Sequence, residues 1–272
     1  MTCTLRRLGA VLAALVLTGT ALAVPAEAKT VFVKPFMGWS SWSVESSTRA
    51  TYGTGWLVES HLRDAADALS GKLKSAGYTN VNIDAGWNAT PARGFHSDAN
   101  GIPDPDPSRF PSGMASLASY VHGKGLKLGL YAAAGLEQEA YDKNAPILGT
   151  SCHIQDIAVQ PLTPTNMWSG NWKIDYAKPC AQSFFDSSVA RFAFWGVDFV
   201  KVDGTTADNV PGIAAWSKAI DHSGRPMWLT ASAWPVPRSA PATGRTWTRC
   251  RAPTTPAAAS RTASPTPSGR VC

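Results

Sequence analysis

The sequence predicts an α/β protein built as a (β/α) barrel, and three observations carry that expectation. Strand-length apolar runs alternate with helix-length amphipathic runs between residues 31 and 231, which argues for a parallel sheet. Polar or aromatic residues gather at the C-terminal end of each strand: Trp39, Asp84, Tyr131, Asp203 and Ser232. Barrels build their sites from those ends, so the repetition favours a barrel over a doubly wound sheet. The third observation is the run WGVDFVKVDG at 195–204. In an extended strand Val197, Phe199, Lys201 and Asp203 share one face, and Asp198, Val200 and Val202 share the other. Gly204 then frees the backbone to turn.

Each element follows from its local pattern. Residues 31–37 are mostly apolar and end in Gly38-Trp39, a first strand. From 59 to 76, Leu62, Ala65, Ala66, Leu69, Leu73 and Ala76 form a helical stripe that Gly77 stops. Residues 78–84 make a short strand leading into Ala85-Gly86-Trp87, followed by a Pro- and Asp-rich loop through Pro111. In that loop Asp104 and Asp106 sit between prolines and are read as loop-shaping. Ser112 is placed to cap a helix over 113–123, and 126–131 is the next strand. After a long irregular insertion, Phe184, Phe185, Val189, Phe192 and Trp195 mark a helix over 182–195. The strand carrying Lys201 and Asp203 comes next. Pro211 suits the first turn of a helix reaching 221, and 227–231 is a further strand.

Composition narrows the class. Arg6 and Arg7 before a small apolar run at 8–23, with Ala-Leu-Ala at 21–23 or Ala-Glu-Ala at 26–28, read as a secretory signal peptide over 1–28. Pro25 and the Gly and Thr within the run argue against a spanning helix. The net charge is +6, but eight arginines lie in that leader or after residue 237, and without those eight the rest of the chain sums to −2. A nucleic-acid face is therefore not expected, nor membrane attachment once the signal is removed. Cys152 and Cys180 lie within the insertion, and in an exported chain they are expected to form a disulfide. No Cys/His spacing suggests a metal site, and no cofactor is expected.

Five segments together resemble a known family: MGWSSW at 37–42, GYTNVNIDAGW at 77–87, RFPSGMASLASYVHGKGLKLGLY at 109–131, FAFWGVDFVKVDG at 192–204 and SAWP at 232–235. In this order they are similar to glycoside hydrolase family 27, the α-galactosidase and α-N-acetylgalactosaminidase group. The resemblance implies a (β/α)8 TIM-type barrel, usually followed by an antiparallel β domain, and retaining hydrolysis of α-linked sugars without a cofactor. Carried over residue by residue, Asp203 matches the nucleophile. A carboxylate beside a fixed ammonium suits attack on an anomeric carbon. Lys201 matches the residue contacting sugar hydroxyls beside it, Asp84 a carboxylate gripping the terminal sugar, and Trp42 and Tyr131 the pocket walls. Trp39 and Trp87 are further candidates for sugar contact, or equally for the core.

The departures shape the expectation as much as the matches. Where the family commonly has two acids after the second strand, this chain has Asp84-Ala85; where galactose-type members have an acid or serine before Trp-Pro, it has Ala233. No Asp or Glu follows Asp221, so the acid/base of a retaining mechanism is absent from the sequence. Residues 238–272 are Arg, Thr, Ala, Pro and Ser with little periodicity, a disordered tail unlike the family and best read as a change of reading frame near 237–245. The expected organisation is a partial barrel of about five β/α units over 29–237, with no C-terminal β domain. The expected function is a secreted glycosidase acting on carbohydrate, impaired by loss of its acid/base. Alternatives are a catalytically silent sugar-binding or vestigial barrel fragment, or a member specific for another α-glycoside or a β-L-arabinopyranoside.

Overall fold

A five-stranded parallel sheet is the frame. The computed structural model describes residues 36–90, 94–165, 168–206 and 209–233; the expected signal peptide and tail lie outside them. In chain order the elements are β1 (Gly38–Ser40), α1 (Trp42–Glu45), α2 (Glu59–Lys72), β2 (Asn80–Ile83), β3 (Ala89–Thr90), β4 (Gly94–Phe95), α3 (Gly113–Gly123), β5 (Lys127–Ala133), β6 (Leu136–Glu137), α4 (Gln138–Asp142), β7 (Asn171–Trp172), α5 (Pro179–Trp195), β8 (Phe199–Thr205), α6 (Val210–His222) and β9 (Trp228–Ala233). The sheet order is β1-β2-β5-β8-β9, every pair parallel. Two short antiparallel ribbons, β3–β4 and β6–β7, sit in the loops. This is the curled, helix-flanked sheet of an incomplete TIM-type barrel.

Register sets which residues share a layer. Asn82 pairs with Gly129, and Gly129 with Phe199. A Cβ on Gly129 would sit 1.9 Å from Asn82 Oδ1, so the Asn82 side chain occupies the space that a larger residue on β5 would fill. Below that layer Phe36 stacks on Phe199, ring centroids 4.1 Å apart. The first strand lies slightly later than its apolar run suggested. Pairing starts at Gly38, where a Cβ would stand 2.2 Å from the Asn80 carbonyl oxygen, so only glycine lets β1 approach β2 this closely.

Helices cover the outer face. α2 buries Leu62, Ala66 and Leu69, α3 buries Met114, Leu117, Ala118 and Val121, and α5 buries Phe184, Phe185, Val189 and Phe192. The α5 stripe is the one read from the sequence; that of α2 is shorter than read, since the helix ends at Lys72 and Leu73 and Ala76 are exposed. Ser112 does not cap α3 through its hydroxyl. Its backbone N–H instead donates to Glu59 Oε2 at 2.9 Å, so a carboxylate from the first turn of α2 takes that role and favours the positive end of α3. Glu59 Oε1 accepts two hydrogen bonds from Arg63, at 2.7 and 2.9 Å. α5 starts at Pro179 and ends at Gly196 with φ 88°, where Val197 N–H closes back onto Phe192 O.

Asp198, on the outward face just before β8, joins three elements. Its Oδ2 accepts Leu128 N–H at 2.9 Å and faces His122 Nε2 at 2.8 Å, while Oδ1 accepts from Arg225 at 2.7 Å. The cluster fastens the end of the sheet opposite Asp203. Among the described residues no helix is long and apolar enough to cross a membrane.

Candidate active site

The C-terminal ends of β1, β2, β5 and β8 converge. Tyr131 is paired with Lys201, and Ala133 with Asp203. Asp84 lies one residue past the last registered pair of β2, Ile83 with Leu130, and so stands level with Tyr131 and Lys201. Strand parity thus delivers Asp84, Tyr131, Lys201 and Asp203 to the inner face, as the alternation in residues 195–204 predicts.

Lys201 is the centre of the arrangement. Its Nζ donates to Asp84 Oδ2 at 2.8 Å and Oδ1 at 3.1 Å, and stands 3.7 Å from Asp203 Oδ2. It also lies 5.4 Å from the Tyr131 ring centroid, a cation over an aromatic face. Asp84 is buried, and its carboxylate further accepts from Ser40 Oγ at 3.3 Å and Ala85 N–H at 2.9 Å. Asp203 is more open and accepts Gly204 N–H at 2.8 Å. Burial pushes the Tyr131 phenol well above its ordinary range, with the Asp203, Asp84 and Glu137 carboxylates adding to the rise. Tyr131 is therefore a neutral donor at any physiological pH.

Trp42 stands on α1, 48% exposed, immediately after the Ser40-Ser41 pair that contacts Asp84. It is an open aromatic surface at the site's rim. Trp39 and Trp87 are not brought there. Trp39 has the opposite parity to Ser40 and meets Trp56 edge-on at 5.9 Å. Trp87 is 1% exposed, packs edge-on to Phe192 and Trp195, and donates its indole N–H to Tyr131 O at 3.0 Å. Gly86, at φ 96°, turns the chain after Asp84 so that Trp87 falls back into the core. Asp106 shapes its loop, accepting Ser108 N–H at 2.9 Å and the Ser108 hydroxyl at 2.5 Å. Asp104 forms an ion pair with Arg191 at 3.7 Å.

Three residues of this neighbourhood carried no signal in the sequence beyond their closeness to Trp42. Ser41 is fully buried and accepts Asp84 N–H on its Oγ at 2.8 Å. Ser40 bridges Asp84 and the Trp42 backbone N–H. Glu45, one turn after Ser41, is 4% exposed. The Cys152–Cys180 disulfide ties the insertion after β5 to the first turn of α5.

Comparison with known proteins turns this geometry into a family. Residues 34–143 match the family model described as α-galactosidase A. An α-galactosidase A from Cellvibrio japonicus is 31% identical over 204 residues, spanning 74% of this chain and 38% of that protein. Over these residues the chain resembles glycoside hydrolase family 27. An α-galactosidase 3 from Hypocrea jecorina is 35% identical over 62% of this chain and 26% of its own length. Among solved structures, a family 27 β-L-arabinopyranosidase from Geobacillus stearothermophilus superposes with a TM-score of 0.67 at 33% identity, covering 75% of this chain and 49% of that one. The chain described here thus spans between about a quarter and a half of the length of these relatives.

Proposed function

We propose that this chain grips the terminal sugar of a glycoside and presents Asp203 to its anomeric carbon, as in a retaining α-glycosidase of the α-galactosidase type. The observation that carries the reading is Lys201 bridging Asp84 and Asp203 on one inner face. Asp84 already has three donors around it, Ser40 Oγ, Ala85 N–H and Lys201 Nζ, so its orientation is set before a sugar arrives; this preorganisation suits recognition of hydroxyls. Trp42 offers a face for the C–H side of a pyranose, and Tyr131 a hydroxyl donor.

In the reaction, an Asp203 oxygen forms a bond to the anomeric carbon as the bond to the aglycone oxygen breaks. The departing oxygen needs a proton, and water must later displace the Asp203 ester. Both steps call for a second carboxyl, and no Asp or Glu follows Asp221. A protein made of these 272 residues alone would go without that carboxyl, at a cost of roughly 10²–10⁴-fold for the protonation step. The apolar leader supports export, as does the Cys152–Cys180 disulfide, since such bonds persist in oxidising compartments.

A second reading concerns the sugar. Ala85 follows Asp84 and offers only its backbone N–H, so one hydroxyl-reading carboxylate is missing there. L-Arabinopyranose is galactose without its C6 hydroxymethyl group, and the β-L-arabinopyranosidase likeness supports a site with one reader fewer. Nitrophenyl α-galactoside, α-N-acetylgalactosaminide, α-glucoside and β-L-arabinopyranoside should be compared with wild-type and Asp203→Asn chains. Cleavage or burst labelling lost in Asp203→Asn, with sugar binding retained, is the expected result. Unchanged hydrolysis by that variant would remove Asp203 from its role, and overwhelming preference for the α-galactoside would remove the arabinopyranoside reading.

A further inference from the structure

Directly behind Asp84 lies an acid that the proposed reaction does not use. Glu45 closes α1, and its backbone N–H donates to Ser41 O at 3.0 Å. Both of its carboxyl oxygens are buried, and neither completes a hydrogen bond, although the Ser41 hydroxyl lies close by. Ser41 is fully buried, and its Oγ accepts Asp84 N–H. A two-residue path therefore runs from the Glu45 carboxyl through Ser41 to the backbone of Asp84. The charged groups facing Glu45 are Asp84 after β2, Lys201 on β8 and Arg109 in the loop before α3. Arg109 is committed elsewhere, donating to Thr54 O at 2.8 Å and Leu57 O at 3.1 Å.

An unpaired carboxyl in such a place must be either a neutral acid or a costly charge. As an anion it repels the Asp84 carboxylate and draws on Lys201, the one ammonium that holds Asp84 and Asp203 together. As a neutral acid it does neither, and its O–H has the Ser41 Oγ lone pair as an available acceptor. We propose that Glu45 is a positioning residue of the sugar site: neutral, it leaves the Asp84–Lys201 clamp intact, and its ionisation loosens that clamp and weakens sugar binding. The inference rests on reading Asp84 and Lys201 as the sugar-gripping pair. Burial sets the range in which this happens, raising Glu45 from 4.5 to about 7, with Asp84 adding to the rise while Ser41, Arg109 and Lys201 oppose it. Binding thus linked to a proton is strong below that range and falls as pH rises through it.

The test uses the full chain with 13C-labelled glutamate carboxyl carbons, the Glu45 signal being assigned from Glu45→Gln. Without sugar, Glu45 is expected to titrate near neutrality. Asp84→Asn should lower its midpoint by removing a like charge, and Lys201→Met should raise it by removing an opposite one. Saturating D-galactose or L-arabinose should raise the wild-type midpoint. Affinity for the bound sugar, followed by tryptophan fluorescence, should fall roughly tenfold between pH 6 and 8.5 in wild type. In Glu45→Gln, which is always neutral, it should stay flat. A Glu45 midpoint in the ordinary carboxylate range, or one indifferent to both Asp84→Asn and Lys201→Met, overturns the inference. So does an equal pH slope in Glu45→Gln and wild type, because a carboxyl with a purely structural role would lower stability without removing that slope. If neither sugar binds at any pH, the sugar-site reading fails separately, and the sugar-free titrations still decide whether Glu45 and the clamp are coupled.

Discussion

Lys201 touches two carboxylates, and the consequences of removing it differ for each. Asp84 is nearly enclosed and would keep only Ser40 Oγ and Ala85 N–H, whereas Asp203 is open enough to regain water. Lys201→Met should therefore destabilise chiefly through Asp84, by about 3–5 kcal/mol, the usual cost of stranding one half of a buried pair. Adding Asp84→Asn to Lys201→Met should recover much of that loss, which paired thermal melts would reveal; a double variant no better than the single would place the cost elsewhere. A second pair of acids shows how strongly local surroundings decide protonation. Burial pushes Glu137 up to about 8, opposed by the Asn88 amide that meets both its oxygens, with Glu139 adding to the rise. Burial acts on Glu139 too, but Ser97 N–H, His96 and Lys143 outweigh it and hold that acid down to about 2. Glu137 has its folded pKa above the unfolded value of 4.5, so its neutral burial costs nothing below that value. Stability is then lost as pH rises from about 4.5 towards 8. Glu139 has the opposite sign: its contribution is present above 4.5 and lost as pH falls towards 2. Glu137→Gln should flatten the decline in melting temperature between pH 5 and 8, and Glu139→Gln the decline on the acid side; denaturation scans across pH would show both.

At the scale of elements, the insertion between β5 and α5 buries Leu136, Ile147, Ile154, Ile157 and Ile174, and a disulfide fastens it to the first turn of α5. Cys152 and Cys180, 28 residues apart, close a loop whose cross-link is worth about 3–4 kcal/mol on a chain-entropy basis. Replacing both by Ala should lower the melting temperature and raise proteolysis between 134 and 178, leaving the helices of the barrel protected. Limited digestion with mass mapping would locate the cuts, and cuts spread evenly over α2 and α3 would contradict the expectation. How much of this was legible in the sequence follows from the range of the interactions involved. The stripe of α5, the Leu62–Leu69 part of the α2 stripe and the parity that aligns Lys201 with Asp203 are local, and they were readable. The cap on α3 was not, because Glu59 reaches Ser112 across 53 residues while the serine itself looks like a suitable cap. For Trp87 the sequence left sugar contact and the core equally open, and a glycine with positive φ decides for the core. Ser40, Ser41 and Glu45 went unread since their roles exist only once β1 lies beside β2. The two serines that meet Asp84 are thus supplied by the end of β1 and the residue after it, and no pattern within either segment announces that.

Across the whole molecule, β1 and β9 are the edges of the sheet among the described residues. Among the described residues neither has a strand on its outer side, and such an edge, beside the half-buried Trp39 and Leu229, offers a template for another chain. Sedimentation velocity at rising concentration should show self-association of the chain as written; a monomer throughout would show that these edges are covered. The strand order has another consequence. Each frame strand pairs with the frame strand made just before it: β2 with β1, β5 with β2, β8 with β5, β9 with β8. A ribosome releasing about 5–20 residues per second delivers every new strand to a partner that has already left the exit tunnel. The sheet can therefore grow from one side during synthesis, with no strand waiting for a neighbour still unmade. Lys201 emerges after Asp84, Tyr131 and both serines, so the clamp can close while β9 is still inside the ribosome. Nascent chains stalled soon after residue 205 clears the tunnel should already protect β2, β5 and β8 from hydrogen exchange.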